Sequence, residues 1–181
     1  MDLFKKLSSF FWDILESITF ALAIFVVAYL GLFQTAEVVG ASSYPTLKNG
    51  ERYVVDKISY RFNAPQRGDF VVIRSPRNPN VDFIKRVVGL PGETIRISAG
   101  KVYINGSLLP EPYLSKGDAT EPESFLGENE DFVIPENHLF IMGDNRANSS
   151  DSRDFGPVTQ SDIIGKFIFK WWPPDEFGAF P

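Results

Sequence analysis

The sequence predicts a mainly β, antiparallel domain, sheet-like or barrel-like, carried on one N-terminal transmembrane helix. An apolar stretch without a charged residue runs from Ser17 to Ala36, near the start of the 181-residue chain. Beyond Gly50 the pattern changes to short apolar runs, several of period two, separated by turns that contain proline and glycine. Short runs of this kind at close spacing are typical of all-β domains.

Composition excludes several classes of function. The chain has 18 basic and 23 acidic residues, a net charge of −5, and no basic stripe, so nucleic acid is not expected as a partner. It contains no cysteine, which excludes disulfides and thiolate chemistry. His138 is the only histidine, so a histidine-rich metal site is not expected. The sequence therefore predicts neither a metal nor a cofactor, and a reactive serine would need His138 or another base.

The first 37 residues are predicted to form an amphipathic segment and a membrane anchor. Apolar residues recur every three or four positions from Met1 to Glu16, as in an amphipathic helix. The uncharged residues Ser17 to Ala36 would span roughly 30 Å as a helix, the thickness of a bilayer core. A buried core helix or a cleaved signal peptide are the alternatives. Against cleavage, the run is long for a signal sequence and Ala36-Glu37 is a poor cleavage site.

The charge pattern predicts the orientation of the anchor. Lys5 and Lys6 are the only basic residues before Lys48, so the positive-inside rule places the N-terminus in the cytoplasm. Residues 38–181 would then form an extracytoplasmic domain on a single-pass protein of the inner cell membrane. Within that domain, residues 113–131 are rich in carboxylates, glycine and proline. We expect them to form a short surface insertion with solvated carboxylates and no catalytic role.

Seven longer strands are predicted in the β domain, and the Asn105-Gly106 pair is the strongest hairpin signal between two of them. The predicted strands are Glu51–Ile58, Phe70–Ile73, Phe83–Leu90, Thr94–Ser98, Lys101–Ile104, Leu139–Met142 and Ile163–Trp172.

A turn from Ser42 to Leu47 follows the apolar stretch. Tyr44 precedes a proline and is biased towards an extended conformation, while Pro45 suits the first turn of a short helix. Such a turn can fix the direction of a hydroxyl and point backbone N–H groups into the same space. An activated serine needs both features. Alone the motif is weak, since Ser-x-x-Pro-Thr also occurs in ordinary loops.

Lys85 lies in an otherwise apolar predicted strand, on the same face as Phe83 and Val87. Two explanations account for a lysine in such a strand. It could lie on an edge strand and discourage aggregation, or it could act as a general base. Burial that lowered its pKa from about 10.4 to about 8 would raise the neutral fraction near pH 7.4 from roughly one in a thousand to roughly a fifth.

A polar loop from Met142 to Val158 is the third notable segment. Its Asx, Ser and Arg residues could form exposed turns, but their density favours a fixed hydrogen-bonded network that holds another group in place.

Together these segments resemble the type I signal peptidases, membrane-anchored Ser–Lys endopeptidases of the bacterial kind. The resemblance covers nearly the whole chain in the family's order, and the last motif is highly specific. The matching motifs are Ser42-x-x-Pro45-Thr46-Leu47, Arg67-Gly68-Asp69-Phe70-Val71-Val72, the run from Phe83 to Glu93, and Gly143-Asp144-Asn145-Arg146 through Ser149-x-Asp151-Ser152-Arg153.

The resemblance implies a role for each motif. Ser42 would be the nucleophile, Lys85 the general base, and Ser149 the residue that orients the lysine amine. Two ion pairs would brace the loop behind them, Arg86 with Asp144 and Arg153 with Asp151. The lone His138 matches no catalytic position and is expected to be a bystander.

The resemblance also implies a substrate and a binding groove. The substrate would be the C-terminal end of a signal peptide, with small residues at the first and third positions before the cut, in the context of the protein export machinery. An extended substrate would lie between a strand before the serine, about Ala36 to Gly40, and the strand that carries Phe83 and Ile84. The residues expected to line its site are Val38, Val39, Gly40, Ser43, Leu47, Phe83 and Ile84.

Three positions depart from the family pattern. Ser43 stands where methionine is usual, Ala147 where aspartate is usual, and Gly40 where some members have a serine or threonine that helps the oxyanion. The alternatives are a non-catalytic relative, a Ser–Lys self-cleaving regulator with the same β-fold, or a purely structural membrane-anchored domain. Both Ser42 and Lys85 are present, and the first forty residues leave no room for a regulator's DNA-binding domain.

Overall fold

A computed structural model describes residues 2–78 and 80–180, with side chains from residue 4 onward. Helix α1 spans Asp2–Leu32, and strand β1, Phe33–Glu37, follows it directly. The amphipathic segment and the apolar stretch therefore form one continuous helix; Met1, which was included in the prediction, lies outside the described residues. The predicted membrane helix ends four residues early, because residues 33–36 pair with the next strand instead.

Helix α1 is long and apolar enough to cross a membrane. An 18-residue window within its segment Phe4–Leu32 has a mean hydropathy of 2.1, and none of that window is buried against the rest of the protein. At 1.5 Å per residue, 31 helical residues extend about 46 Å. A helix that is apolar and unburied needs another apolar environment, which is what a bilayer provides.

Eleven more strands and one short α-helix follow β1 in the described residues, together with four single turns of 3-10 helix. They are β2 Arg52–Asp56, β3 Phe70–Arg74, β4 Asp82–Gly89, β5 Thr94–Ser98, β6 Lys101–Ile104, β7 Ser107–Leu108, β8 Phe132–Val133, β9 His138–Met142, α2 Ser152–Phe155, β10 Val158–Thr159, β11 Ile163–Trp172 and β12 Gly178–Ala179.

The strands form two antiparallel sheets. The larger has the order β1-β2-β11-β3-β4-β9-β10, with β12 beside β11, and the smaller has the order β7-β6-β5-β8. Every pairing between named strands is antiparallel. The predicted fold class is confirmed: a mainly β, antiparallel protein with one N-terminal apolar helix.

Strand β4 lies in the middle of the large sheet, between β3 and β9. Its consecutive residues Val87 and Val88 belong to different buried clusters, because successive side chains of a strand point to opposite faces. The strand is therefore packed on both faces, and the side chains it carries are held in place by neighbours on each side.

The carboxylates of segment 113–131 are solvated as expected, since five of the six are exposed, but the segment is also packed against the rest of the fold. Leu126 is fully buried and packs with Ile95 in the cluster beneath the small sheet. The backbone N–H groups of Phe125 and Leu126 both donate to the carbonyl of Arg153, at 2.8 and 3.1 Å. The segment thus covers the polar loop. Its composition does not predict this tertiary contact. The division into an anchor, 1–37, and a β domain, 38–181, stays a prediction.

Candidate active site

The turn that carries Ser42 is closed by its own backbone. The N–H of Leu47 donates to the carbonyl of Ser43 at 2.9 Å, and that of Tyr44 to Ala41 at 3.1 Å. No helix forms here, in contrast to the expectation, and the Tyr44–Pro45 peptide bond is cis. Ser42 is partly exposed at the surface of this turn.

Two side chains attach the turn to the sheet. Leu47 is fully buried in the cluster with Tyr53 and Phe70. Its place among the substrate-binding residues is therefore corrected, since a side chain without exposed surface anchors the turn from below. Ser43 is 3% exposed, and its hydroxyl donates to the carbonyl of Ile84 in β4 at 3.0 Å.

Lys85 is buried at the centre of the large sheet. It is 3% exposed, and because β4 has neighbours on both sides the edge-strand explanation is wrong. Its Nζ donates to Ser149 Oγ at 3.0 Å and lies 5.4 Å from the centroid of the Phe83 ring. Burial lowers the pKa of Lys85 to about 8, with Arg153 acting in the same direction and the Asp151 carboxylate against it.

Ser42 and Lys85 line one groove of about 470 Å³. One wall is the chain just before the serine turn, and the other is the start of β4 with the loop before it. The remaining lining residues are Glu37, Val38, Val39, Gly40, Ser43, Asn80, Val81, Asp82, Phe83, Ile84 and Ser150. The groove brings together every residue predicted for the substrate site except Leu47. It adds Glu37, Ser150 and the stretch from Asn80 to Asp82, which were not predicted. Asp82 was missed because the predicted strand began one residue too late, whereas the others carry no local signal for the groove.

Asp144 connects the three motifs. Arg86, next to the buried lysine, donates to it at two points, Nε to Oδ1 at 2.8 Å and Nη2 to Oδ2 at 2.7 Å. Thr46 of the serine turn donates its hydroxyl to the same carboxylate. The Arg86 guanidinium also lies between the rings of Phe70 and Tyr113, 4.3 and 3.9 Å from their centroids.

A second ion pair supports the loop that carries Ser149. Arg153 and Asp151 are both fully buried and pair at two points, each 2.9 Å long. Asp151 also accepts the N–H of Gly143 at 3.0 Å, and Arg153 donates to the carbonyl of Arg146 at 2.8 Å. These are the two pairs that the resemblance implies, and they fix both ends of the loop.

Comparison with known proteins identifies the family. The profile described as "Signal peptidase, peptidase S26" matches residues 11–172. The chain belongs to the signal peptidase family, peptidase S26. It is a serine peptidase of that family. Signal peptidase I of Bacillus amyloliquefaciens is 36% identical over 171 residues, which are 91% of this chain and 88% of that protein.

Two further relatives are similar. Signal peptidase I of Leptolyngbya laminosa is 40% identical over 144 residues, 76% of this chain and 68% of that protein. The crystal structure of a signal peptidase I from Enterococcus faecalis V583 matches with a TM-score of 0.47 at 35% identity, covering 57% of this chain and 97% of that chain.

Within this signal peptidase, the last motif contacts the nucleophile turn directly. The N–H of Asn145 donates to the carbonyl of Ser42 at 3.0 Å, and its side-chain amide donates to Ala41 at 3.0 Å. Gly143 has no room for a side chain, since a Cβ there would overlap both the Ser42 carbonyl and the Ser149 side chain. Gly143 and Asn145 belong to the matching motif, but no role was predicted for either.

Arg146 extends the network beyond the residues that were predicted. It is 3% exposed and pairs with Glu111, and it also donates to Thr120, which is 1% exposed. Glu111 in turn accepts the hydroxyl of Tyr113 at 2.8 Å. Nothing in the sequence near Glu111 and Thr120 marks them as partners of a loop some thirty residues away.

The positions that depart from the family pattern differ in their surroundings. Gly40 has a φ of +95°, and its N–H donates to Asn49 Oδ1 at 2.8 Å, so that N–H is already engaged. Ala147 is exposed at the edge of the loop. His138 begins β9, outside the groove, with its Nδ1 2.9 Å from the carbonyl of Glu136.

Proposed function

We propose that this chain removes N-terminal signal peptides from secreted preproteins by a Ser–Lys mechanism, with Ser42 as nucleophile and Lys85 as general base. The observation that carries the proposal is the state of Lys85: it lines the same groove as Ser42, is 3% exposed, donates to Ser149 and has a pKa of about 8. With that pKa roughly a fifth of the molecules hold a neutral amine near pH 7.4.

The chemistry follows from a neutral amine and a hydroxyl that line the same groove. Ser42 Oγ attacks the scissile carbonyl while Lys85 Nζ accepts the hydroxyl proton, and the resulting ammonium gives a proton to the departing amine. The acyl-enzyme is then hydrolysed by a water that loses its proton to the neutral lysine. The backbone N–H of Ser42 is the group proposed to stabilise the oxyanion.

The groove suits an extended peptide. Val38 to Gly40 form one wall and Phe83 and Ile84 belong to the other, so a peptide between them can bond to backbone on both sides. The pocket that receives the residue before the cut would include Ser43 and Ile84. Side chains at the first and third positions before the cut are proposed to be small.

The proposed setting is the inner cell membrane. Helix α1 is apolar, unburied and long enough to span a bilayer, and Lys5 and Lys6 near its start favour a cytoplasmic N-terminus. The groove then lies on the extracytoplasmic side, where preproteins delivered by the export machinery emerge. Because β1 continues directly from α1 and its end lines the groove, the serine turn would stay close to the membrane surface.

The test uses the full chain purified in detergent with a preprotein that carries an Ala-x-Ala site. Wild type should release the mature protein at that site, and Ser42→Ala should abolish release. Ser43→Ala is the matched control: it loses one hydrogen bond to Ile84 and should keep most of the activity. An inactive Ser43→Ala beside an active Ser42→Ala would reverse the assignment of the nucleophile.

A further inference from the structure

A polar cavity of about 550 Å³ lies where α1 meets the large sheet, away from the groove. Gly31, in the last turn of α1, forms part of its lining. Three basic residues from different parts of the fold also line it, Lys57 after β2, Arg61 in the turn that follows, and Arg74 at the end of β3. None of these residues is used by the proposed peptidase chemistry.

The cavity carries excess positive charge. Ten of the basic residues beyond α1 are in ion pairs. Lys57, Arg61 and Arg74 are in none among the described residues. Asp162 is the one carboxylate in the described lining, and it already accepts the hydroxyl of Thr159 at 2.7 Å. Three cations therefore face one carboxylate in a chain whose net charge is −5.

The cavity is at the point where the helix leaves the membrane in the proposed topology. The N–H of Lys57 donates to the carbonyl of Leu32, the last helical residue, at 3.0 Å. Phe62, next to Arg61, is 81% exposed. A basic side chain beside an exposed aromatic ring at the end of an apolar helix is typical of contact with the headgroup region of a bilayer.

We propose that this cavity is a phosphate-binding site, occupied by the headgroup phosphate of an anionic phospholipid. Arg61 and Arg74 can each offer two parallel N–H donors to phosphate oxygens, and Lys57 adds a further positive charge. The proposal rests on the membrane anchor of the proposed function, and a free phosphate ion has the same chemistry as the headgroup.

The experiment measures the thermal midpoint, Tm, of the full chain in a non-ionic detergent at constant ionic strength, followed by tryptophan fluorescence. The probes are dihexanoyl phosphatidylglycerol, dihexanoyl phosphatidylcholine and inorganic phosphate. At roughly a hundred times its Kd, phosphatidylglycerol should raise Tm by about 5 °C or more. Phosphatidylcholine and inorganic phosphate should each raise it by less than half as much.

Two double variants test whether the lipid binds at this cavity. Arg61→Gln/Arg74→Gln should lose the phosphatidylglycerol shift, whereas Lys101→Gln/Lys116→Gln, two exposed cations of the small-sheet region, should keep it. Both variants should keep a cooperative thermal transition, which shows that each is folded and keeps this test separate from the peptidase assignment.

Four results would overturn the proposal. If phosphatidylglycerol did not shift the Tm of wild type, there would be no such site. If both double variants lost the shift equally, the lipid would be attracted by general surface charge and not by this cavity. A shift from inorganic phosphate equal to that from phosphatidylglycerol would assign the site to free phosphate and exclude the lipid. A shift from phosphatidylcholine of the same size would exclude selectivity for anionic lipids.

Discussion

Arg86 and Asp144 join the strand that carries Lys85 to the loop that carries Ser149, through two charge-assisted hydrogen bonds of 2.8 and 2.7 Å. The carboxylate is fully buried and the arginine side chain is 11% exposed. Because Thr46 of the serine turn bonds to the same carboxylate, one ion pair sets the relative positions of all three motifs.

Breaking this pair should cost both stability and activity. Asp144→Asn leaves a largely buried arginine without its charge partner, so we expect a loss of about 3 kcal/mol in unfolding free energy, together with a lower kcat. Urea unfolding of Asp144→Asn, Arg86→Gln and the double variant measures the coupling, which should exceed about 1 kcal/mol.

Arg52 and Glu37 provide the matched control. They pair at 3.0 Å with side chains 46% and 48% exposed, so Arg52→Gln should change stability by less than about 1 kcal/mol. Equal costs for the buried and the exposed pair would mean that Arg86 and Asp144 do not hold the site together.

The pH dependence of cleavage should report the pKa of Lys85. The base acts only when neutral, so kcat/KM should rise with pH and level off above about 8. Lys85→Arg should be inactive because guanidinium stays protonated throughout this range. A fully active Lys85→Arg enzyme would remove the lysine from the mechanism.

The same lowered pKa should make folding less favourable at neutral pH. The pKa of Lys85 is about 8 when folded and about 10.4 when unfolded, so between these values the unfolded state binds more protons and stability rises with pH. Below pH 8 the full cost of about 3 kcal/mol is present. Lys85→Met should therefore raise Tm at pH 7, even after losing one hydrogen bond to Ser149, and the gain should shrink towards pH 10.

Inactivation alone should not give this stabilisation. Ser42→Ala keeps the buried amine, so its stability should follow the same pH curve as wild type. If Lys85→Met and Ser42→Ala showed parallel curves from pH 7 to 10, the amine would not be the source of the pH dependence.

Ser149 is predicted to position the base and not to bind the peptide. Ser149→Ala should lower kcat on the order of 10- to 100-fold and leave KM nearly unchanged, since the amine loses the partner that orients it. Ser150 lines the groove but donates to Asp154, so Ser150→Ala serves as the neighbouring control and should retain kcat. A change confined to KM would make Ser149 a substrate contact.

The sequence predicted those features that local patterns encode. Ile163–Trp172 forms a strand with the predicted bounds, and the apolar neighbours of Lys85 indicated its burial. The resemblance implied a strand from about Ala36 to Gly40, but β1 spans Phe33–Glu37 and residues 38–40 are not in a strand. The start of β1 was missed because residues 33–36 continue the uncharged stretch without a change in composition. The two-residue strands, such as β8, are too short to show a period.

The supporting contacts from outside the motifs were the hardest to predict. Glu111 and Thr120 meet Arg146 only because the chain folds back over the polar loop, and no local motif marks such a contact. Leu47 matched the family motif in sequence, but its direction depends on the packing beneath the turn. Motif matching therefore predicts contacts between motif residues, such as Arg86 with Asp144, better than contacts with segments outside the motifs.

Ser43 should widen the range of residues accepted before the cut. It lines the groove where methionine is usual in the family, and its hydroxyl is engaged with the carbonyl of Ile84. Serine in place of methionine therefore leaves space in the pocket, but it adds no free polar group. One methylene in an apolar pocket is worth about 1–3 kcal/mol of discrimination. The loss of kcat/KM for substrates with Ser, Gly or Cys before the cut, relative to Ala, should therefore be at least tenfold smaller in wild type than in Ser43→Met.

The measurement compares kcat/KM for substrates with Ala, Ser or Gly before the cut in wild type, Ser43→Met and Ser43→Ala. Ser43→Ala removes the hydroxyl without filling the space, so it should rank the three substrates as wild type does, while Ser43→Met should favour Ala more strongly. If wild type and Ser43→Met give the same order and the same ratios of kcat/KM for the three substrates, Ser43 does not shape the pocket. If Ser43→Ala behaves like Ser43→Met, the bond to Ile84 sets the specificity, because that bond is what both variants lose.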